Sequence, residues 1–136
     1  MSERGQITLF VALAAGALLV LAGLVVDGGE VLAARRRAFD DASEAARAGV
    51  QALAPAPYRG GDAVVLDPEA AAAAAHAYLA AAGHGGTVAV ECDQVAVEVS
   101  FDQPLALLRL VGLDHVRVSG HGRARAVRGV EGGGDR

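Results

Sequence analysis

The chain of 136 residues has no tryptophan, and aromatic residues make up only 4% of it. Its hydrophobic share is nonetheless 53%. Alanine carries much of that share, so the core is expected to be thin. A single cysteine, Cys92, excludes an internal disulfide. In a strand pattern such a thiol reads as a small buried hydrophobe. Lys and Arg total 12 against 16 Asp and Glu, a net charge of -4. The chain therefore lacks the basic balance that nucleic acid demands, and no nucleic-acid partner is expected.

Chemistry is absent in the same way. His84, His115 and His121 belong to no H-x-x-x-H, C-x-x-C or facial carboxylate pattern. Turns and strand edges account for them, and His121 lies among Ser119, Gly120 and Gly122, read as loop or edge-strand residues. His76 reads as an ordinary helix residue. Gly83-His84-Gly85-Gly86 has neither the Lys nor the strand–helix context of a phosphate loop. No nucleophile motif occurs. The expectation is no catalytic residue, no metal, no cofactor and no small-molecule substrate.

What the chain does have is a long apolar run. Ile7 to Val26 reads ITLFVALAAGALLVLAGLVV, with no charge. As a helix, about twenty residues span roughly 30 Å, the thickness of a bilayer's hydrocarbon core. A signal peptide has a shorter apolar region and small residues at its cut. This run ends instead in Val25-Val26-Asp27-Gly28-Gly29. The reading is a retained single-pass span.

Beyond it, Val31 to Leu53 continues as an amphipathic helix, with Gly28-Gly29 expected to loosen the join. Leu32, Phe39, Ala46 and Leu53 recur every seven residues. Leu32, Phe39 and Leu53 are therefore the expected packing residues, toward the body or a partner helix. Glu44–Arg47 and Arg37–Asp41 are favourable pairs at helical spacing. The triplet Arg35-Arg36-Arg37 suits anionic head groups.

Ala54-Pro55-Ala56-Pro57 breaks this helix. Asp67-Pro68-Glu69 starts another, with Asp as the cap and Pro at the first position, and Gly83 is placed to end it. Thr87–Cys92 and Val95–Phe101 alternate with period two, as strands joined by a tight turn at Asp93-Gln94. Pro104 ends the second strand. Leu105–Leu113 is expected as an apolar cover, helical or looped, and Val116-Arg117-Val118 opens a third strand. The fold class is α+β: a long N-terminal helix, then a small helix-on-antiparallel-sheet domain. The boundaries follow: 1–54 for the long helix, 55–66 a linker, 67–130 the domain, and 131–136 a disordered tail.

Arg4-Gly5-Gln6-Ile7-Thr8-Leu9-Phe10, the apolar span, Val26-Asp27-Gly28-Gly29 and Ala33-Ala34-Arg35-Arg36 resemble the TadE/TadG-like Flp pilus-assembly proteins. The likeness is best over residues 4 to about 53 and weaker over Val95–Val130. It implies a pilin-like domain and a minor-pilin or pseudopilin role among other pilus-assembly subunits. It also implies processing by a prepilin peptidase after a glycine, which would fall between Gly5 and Gln6. Many members carry Glu at the fifth residue after that cut, where this chain has Phe10. The departure points to an unprocessed N-terminus and to the TadG-like, anchored side of the family. The positive-inside rule, applied to Arg35-Arg36-Arg37, places the body in the cytoplasm. The resemblance places it outside, and the reading follows the resemblance.

The expected function is thus a non-enzymatic, membrane-anchored pilus-assembly protein in the cell envelope, with the bilayer and pilin-like subunits as partners. The alternative is a membrane-tethered binding or regulatory domain unrelated to pili. A third reading, an anchored enzyme, requires a cleft with converging polar groups.

Overall fold

The computed structural model of the protein describes residues 3–52 and 66–126. One helix, α1 (Glu3–Gln51), takes up nearly all of the first stretch. It runs unbroken through Gly28 and Gly29, where looseness was expected. Neither glycine has an atom within 4 Å of where a Cβ would stand, so each faces open space. The intrinsic cost of glycine, about 1 kcal/mol each, is met by helix-forming residues on both sides.

After α1 come α2 (Pro68–Ala81), β1 (Gly86–Glu91), β2 (Gln94–Pro104), a single 3-10 turn (Leu108–Val111) and β3 (His115–Arg125). The three strands form an antiparallel sheet in the order β1-β2-β3. The fold is therefore α+β, a helix followed by a helix-and-sheet domain. The chain divides into two compact units: Met1–Arg35 with Asp102–Val118, and Arg36–Phe101 with Ser119–Arg136. The expected linker, apart from Leu66, lies outside the described residues, as do Leu53, Val130 and the tail 131–136.

In the second unit the core is thin, as the composition implies. Ala42, Ala45 and Ala46 of α1, Leu66, Ala71, Ala75 and Leu79 around α2, and Val95, Val97 and Val99 of β2 make one buried cluster. Small side chains let backbones approach. A Cβ on Gly120 would stand 2.3 Å from backbone atoms of Ala38 and Phe39, and one on Gly122 would stand 2.4 Å from those of Ala42 and Ser43. These glycines are thus the inward residues of β3, pressed on α1. They are not loop residues, although β3 is an edge strand. Glycine within a strand marks such close approach of another backbone.

Asp67 caps α2 as its sequence position dictates. One carboxylate oxygen accepts hydrogen bonds from the Glu69 and Ala70 N–H groups, at 3.0 and 3.1 Å. Ala71, Ala75 and Leu79, four residues apart, form the buried face. Gly83, at φ +76°, lets the chain leave the helix. β1 pairs with β2 from Gly86↔Val99 to Glu91↔Gln94. The turn is therefore Cys92-Asp93, one residue earlier than expected. Cys92 is exposed at φ 28°, a left-handed conformation that side chains other than glycine rarely adopt, and is not a buried strand residue. The strand alternation of Val88 and Val90 stops at Glu91 because the register closes there.

Candidate functional site

The N-terminal part of α1 is apolar nearly all round, and among the described residues its large side chains are largely uncovered, whereas Gly23 is buried. Phe10 is 72% exposed, Leu19 73% and Val25 76%. A helix hydrophobic all round is stable only when something apolar surrounds it. Its length and composition suffice to cross a membrane, and it fits a single-pass anchor. Gly5 and Gln6 lie in its first turns, both exposed.

Further along α1 the buried positions are Ala34, Ala38, Ala42, Ala45 and Ala46. Leu32 is 53% exposed and Phe39 40%. The Phe39 ring meets His121 edge to face, with centroids 4.9 Å apart. Of the two expected ion pairs on this stretch, Arg47–Glu44 forms. Asp41 instead takes His84, whose Nδ1 lies 2.7 Å from the Asp41 carboxylate. The His84 ring stacks on Phe101 at 4.3 Å. His84 is therefore a packing and tethering residue of the second unit. Among the described residues, no group of three or more His, Cys, Asp or Glu converges to hold a metal.

The most organised polar feature belongs to the first unit, and the sequence did not flag it. Asp27, one residue past the apolar run, is fully buried. Its carboxylate accepts hydrogen bonds from three successive N–H groups: Ala106 at 2.9 Å, Leu107 at 3.2 and 3.0 Å, and Leu108 at 2.6 Å. Those groups open the 3-10 turn, whose own cap residue, Leu107, supplies no side-chain bond. Asp27 caps the turn from another element, as an N-cap residue would from its own helix. One turn of α1 earlier, Gly23 makes room for it. A Cβ there would stand 3.2 Å from the Leu107 Cβ and 3.4 Å from Leu108. The signal available in the sequence was an acid directly after an uncharged run, on the same helix face as a glycine four residues before it.

The loop so held, Leu105–Leu113, is apolar and covers only in part, with Leu105 buried and Leu107 and Leu108 lying on Gly23. Leu110 is 82% exposed, Val111 57% and Leu113 55%. At its base, Arg117 and Asp102 pair across the hairpin at 3.1 Å. Hydrogen bonding to Arg117 holds the Asp102 carboxyl below its ordinary range, and nearby His115 adds to the effect.

The uncovered helix, the small-residue stripe and the Asp27 clasp describe an anchoring and packing device. No curated protein and no solved structure matches this chain. Residues 5–52, which hold the apolar run, Asp27 and the alanine stripe, match the Tad family model described as "Putative Flp pilus-assembly TadE/G-like".

Proposed function

We propose that this protein is a non-enzymatic, single-pass membrane protein that takes part in pilus assembly as a minor-pilin-like or pseudopilin-like subunit. The observation that carries the reading is the coincidence of two findings on one segment. Residues 5–52 match the pilus-assembly family, and the same helix exposes its apolar side chains all round. Lipid surrounds the helix in the membrane. In an assembly, neighbouring helices replace that lipid without exposing apolar surface to water. Leu32 and Phe39, both exposed on α1, are the side chains offered to such a neighbour, with Leu53 beyond them. The body lies outside the cytoplasm, and Arg35-Arg36-Arg37 contacts head groups on that side.

Carbonate washing of membranes and deletion of Ile7–Val26 test the anchor. The intact chain stays in the membrane and the deletion variant is soluble; an intact chain that washes off refutes the reading. Orientation is read through Cys92, the only cysteine and an exposed one. A membrane-impermeant maleimide added to intact cells labels it if the body is outside, and labelling only after lysis places the body in the cytoplasm. Phe10, where processed subunits often carry Glu, supports an uncut Gly5–Gln6 bond. A dominant species beginning at Gln6, by mass spectrometry of the extracted protein, would show processing instead. Loss of pili on gene deletion, restored by the intact chain, tests the assembly role. Unchanged pili, with no pilus component co-purifying, would favour a membrane-tethered binding domain.

A further inference from the structure

The loop between β2 and β3 presents an apolar surface that none of the described residues covers. We infer that Leu107–Leu113 is a second membrane contact, lying in the boundary between head groups and acyl chains beside the anchor helix and held there by Asp27. The inference rests on the anchor reading above.

Three observations, all within the first unit, carry it. The first is position. Leu107 and Leu108 pack against Gly23, three residues before the apolar run ends at Val26. At 1.5 Å per residue the contact lies about 4.5 Å inside the end of the apolar run. The loop therefore starts at the depth of the bilayer's edge. The second is surface. Leu110, Val111 and Leu113 are each more than half exposed, and they extend the apolar surface of the helix sideways. Arg109 on the same turn supplies a cation for anionic head groups.

The third is the backbone. An irregular segment cannot leave its N–H groups unpaired where water is scarce. Asp27 takes those of Ala106, Leu107 and Leu108. Leu105 donates to the Asp114 carbonyl, Leu110 to Leu107, Gly112 to Arg109 and Leu113 to Leu108. A loop made for water has no need of such extensive internal pairing. Full burial in hydrocarbon would strand the charge of Arg109, so the boundary layer is the depth that fits.

Because the chain has no tryptophan, one introduced residue reports without background. Full-length Leu110→Trp is reconstituted into phosphatidylcholine–phosphatidylglycerol vesicles whose acyl chains are brominated at shallow or deep positions. Val111→Trp serves as a second loop probe in case the first perturbs the turn. Phe10→Trp reports on the anchor, and Tyr78→Trp, on α2, reports on the body. The expected result is blue-shifted loop emission, quenched more by shallow than by deep bromines, with Phe10→Trp also quenched and Tyr78→Trp unquenched. Loop probes that emit as in water while Phe10→Trp is quenched overturn this proposal and leave the anchor standing. An unquenched Phe10→Trp overturns the anchor and this proposal together. Blue-shifted loop probes that bromine does not quench overturn the lipid contact in favour of a second protein surface. Adding Asp27→Ala to Leu110→Trp is expected to abolish the shallow quenching and to speed amide exchange at Ala106–Leu108. Unchanged quenching would overturn the role assigned to Asp27.

Discussion

The two ends of α1 are both rich in apolar residues, yet they use them in opposite ways. From Ile7 to Val26 the large side chains are about half to three-quarters exposed among the described residues. From Ala34 to Gly49 the buried residues are alanine and glycine, and their smallness brings backbone against backbone. Hydrophobicity alone does not separate these fates. Side-chain size does: bulky residues all round suit a fluid surround, whereas a stripe of small ones suits a rigid neighbour at close range.

Glycine substitution should break this contrast most sharply. Gly122→Val drives a side chain into the Ala42 and Ser43 backbone, and the expected loss is about 3 kcal/mol or more, up to failure to fold. Gly16→Val, in the uncovered half, meets nothing within 4 Å and should leave unfolding of the detergent-solubilised body unchanged. Equal effects on the denaturant midpoint would erase the distinction. Leucine truncation gives the next largest difference. Leu79→Ala empties a fully buried site and should cost about 2–5 kcal/mol. Leu19→Ala, at a site 73% exposed, should change body stability by less than about 0.5 kcal/mol.

Phe39 tests the border between the two modes. A fully buried ring would cost on the order of 3 kcal/mol when truncated to alanine. At 40% exposure with an edge contact to His121, Phe39→Ala should cost about 0.5–1.5 kcal/mol. Chemical denaturation of the purified chain decides, and a larger loss would mean that the ring is more deeply buried in the folded chain than its 40% exposure implies. The smallest effect is that of Asp102. Its carboxyl titrates below its ordinary range because of Arg117. The stabilisation is therefore present above the unfolded carboxylate value, about pH 4, and disappears as pH falls through the lower folded value. Arg117→Ala should bring that loss forward, slightly and only at low salt, in acid unfolding curves. A difference that persists at high salt would contradict an exposed pair.

Local rules made some of this architecture legible and hid the rest. Asp67-Pro68 announced α2 because a cap acts within four residues. The Val95, Val97 and Val99 alternation announced β2 because one face is buried. The β1–β2 turn falls one residue earlier than the alternation predicts, since Cys92 takes a positive φ that its residue type does not advertise. Gly120 and Gly122 read as edge or loop because their partner, the α1 backbone, is about eighty residues upstream. Asp27 carries no local signal for the same reason. A carboxylate's partners cannot be read from its neighbours when they are N–H groups on another element.

The separation along the chain gives the Asp27 clasp a place in time. Asp27 and the Leu108 N–H that it holds are 81 residues apart. A chain made from its N-terminus has its anchor helix complete long before residues 106–108 emerge. Closing so long a loop is entropically costly and kinetically late. Until then the carboxylate must remain hydrated, which keeps the end of the helix at the water boundary and fixes how far the nascent span can sink. The bond that finally forms thus requires a chain extended through β2 and into the loop that follows it.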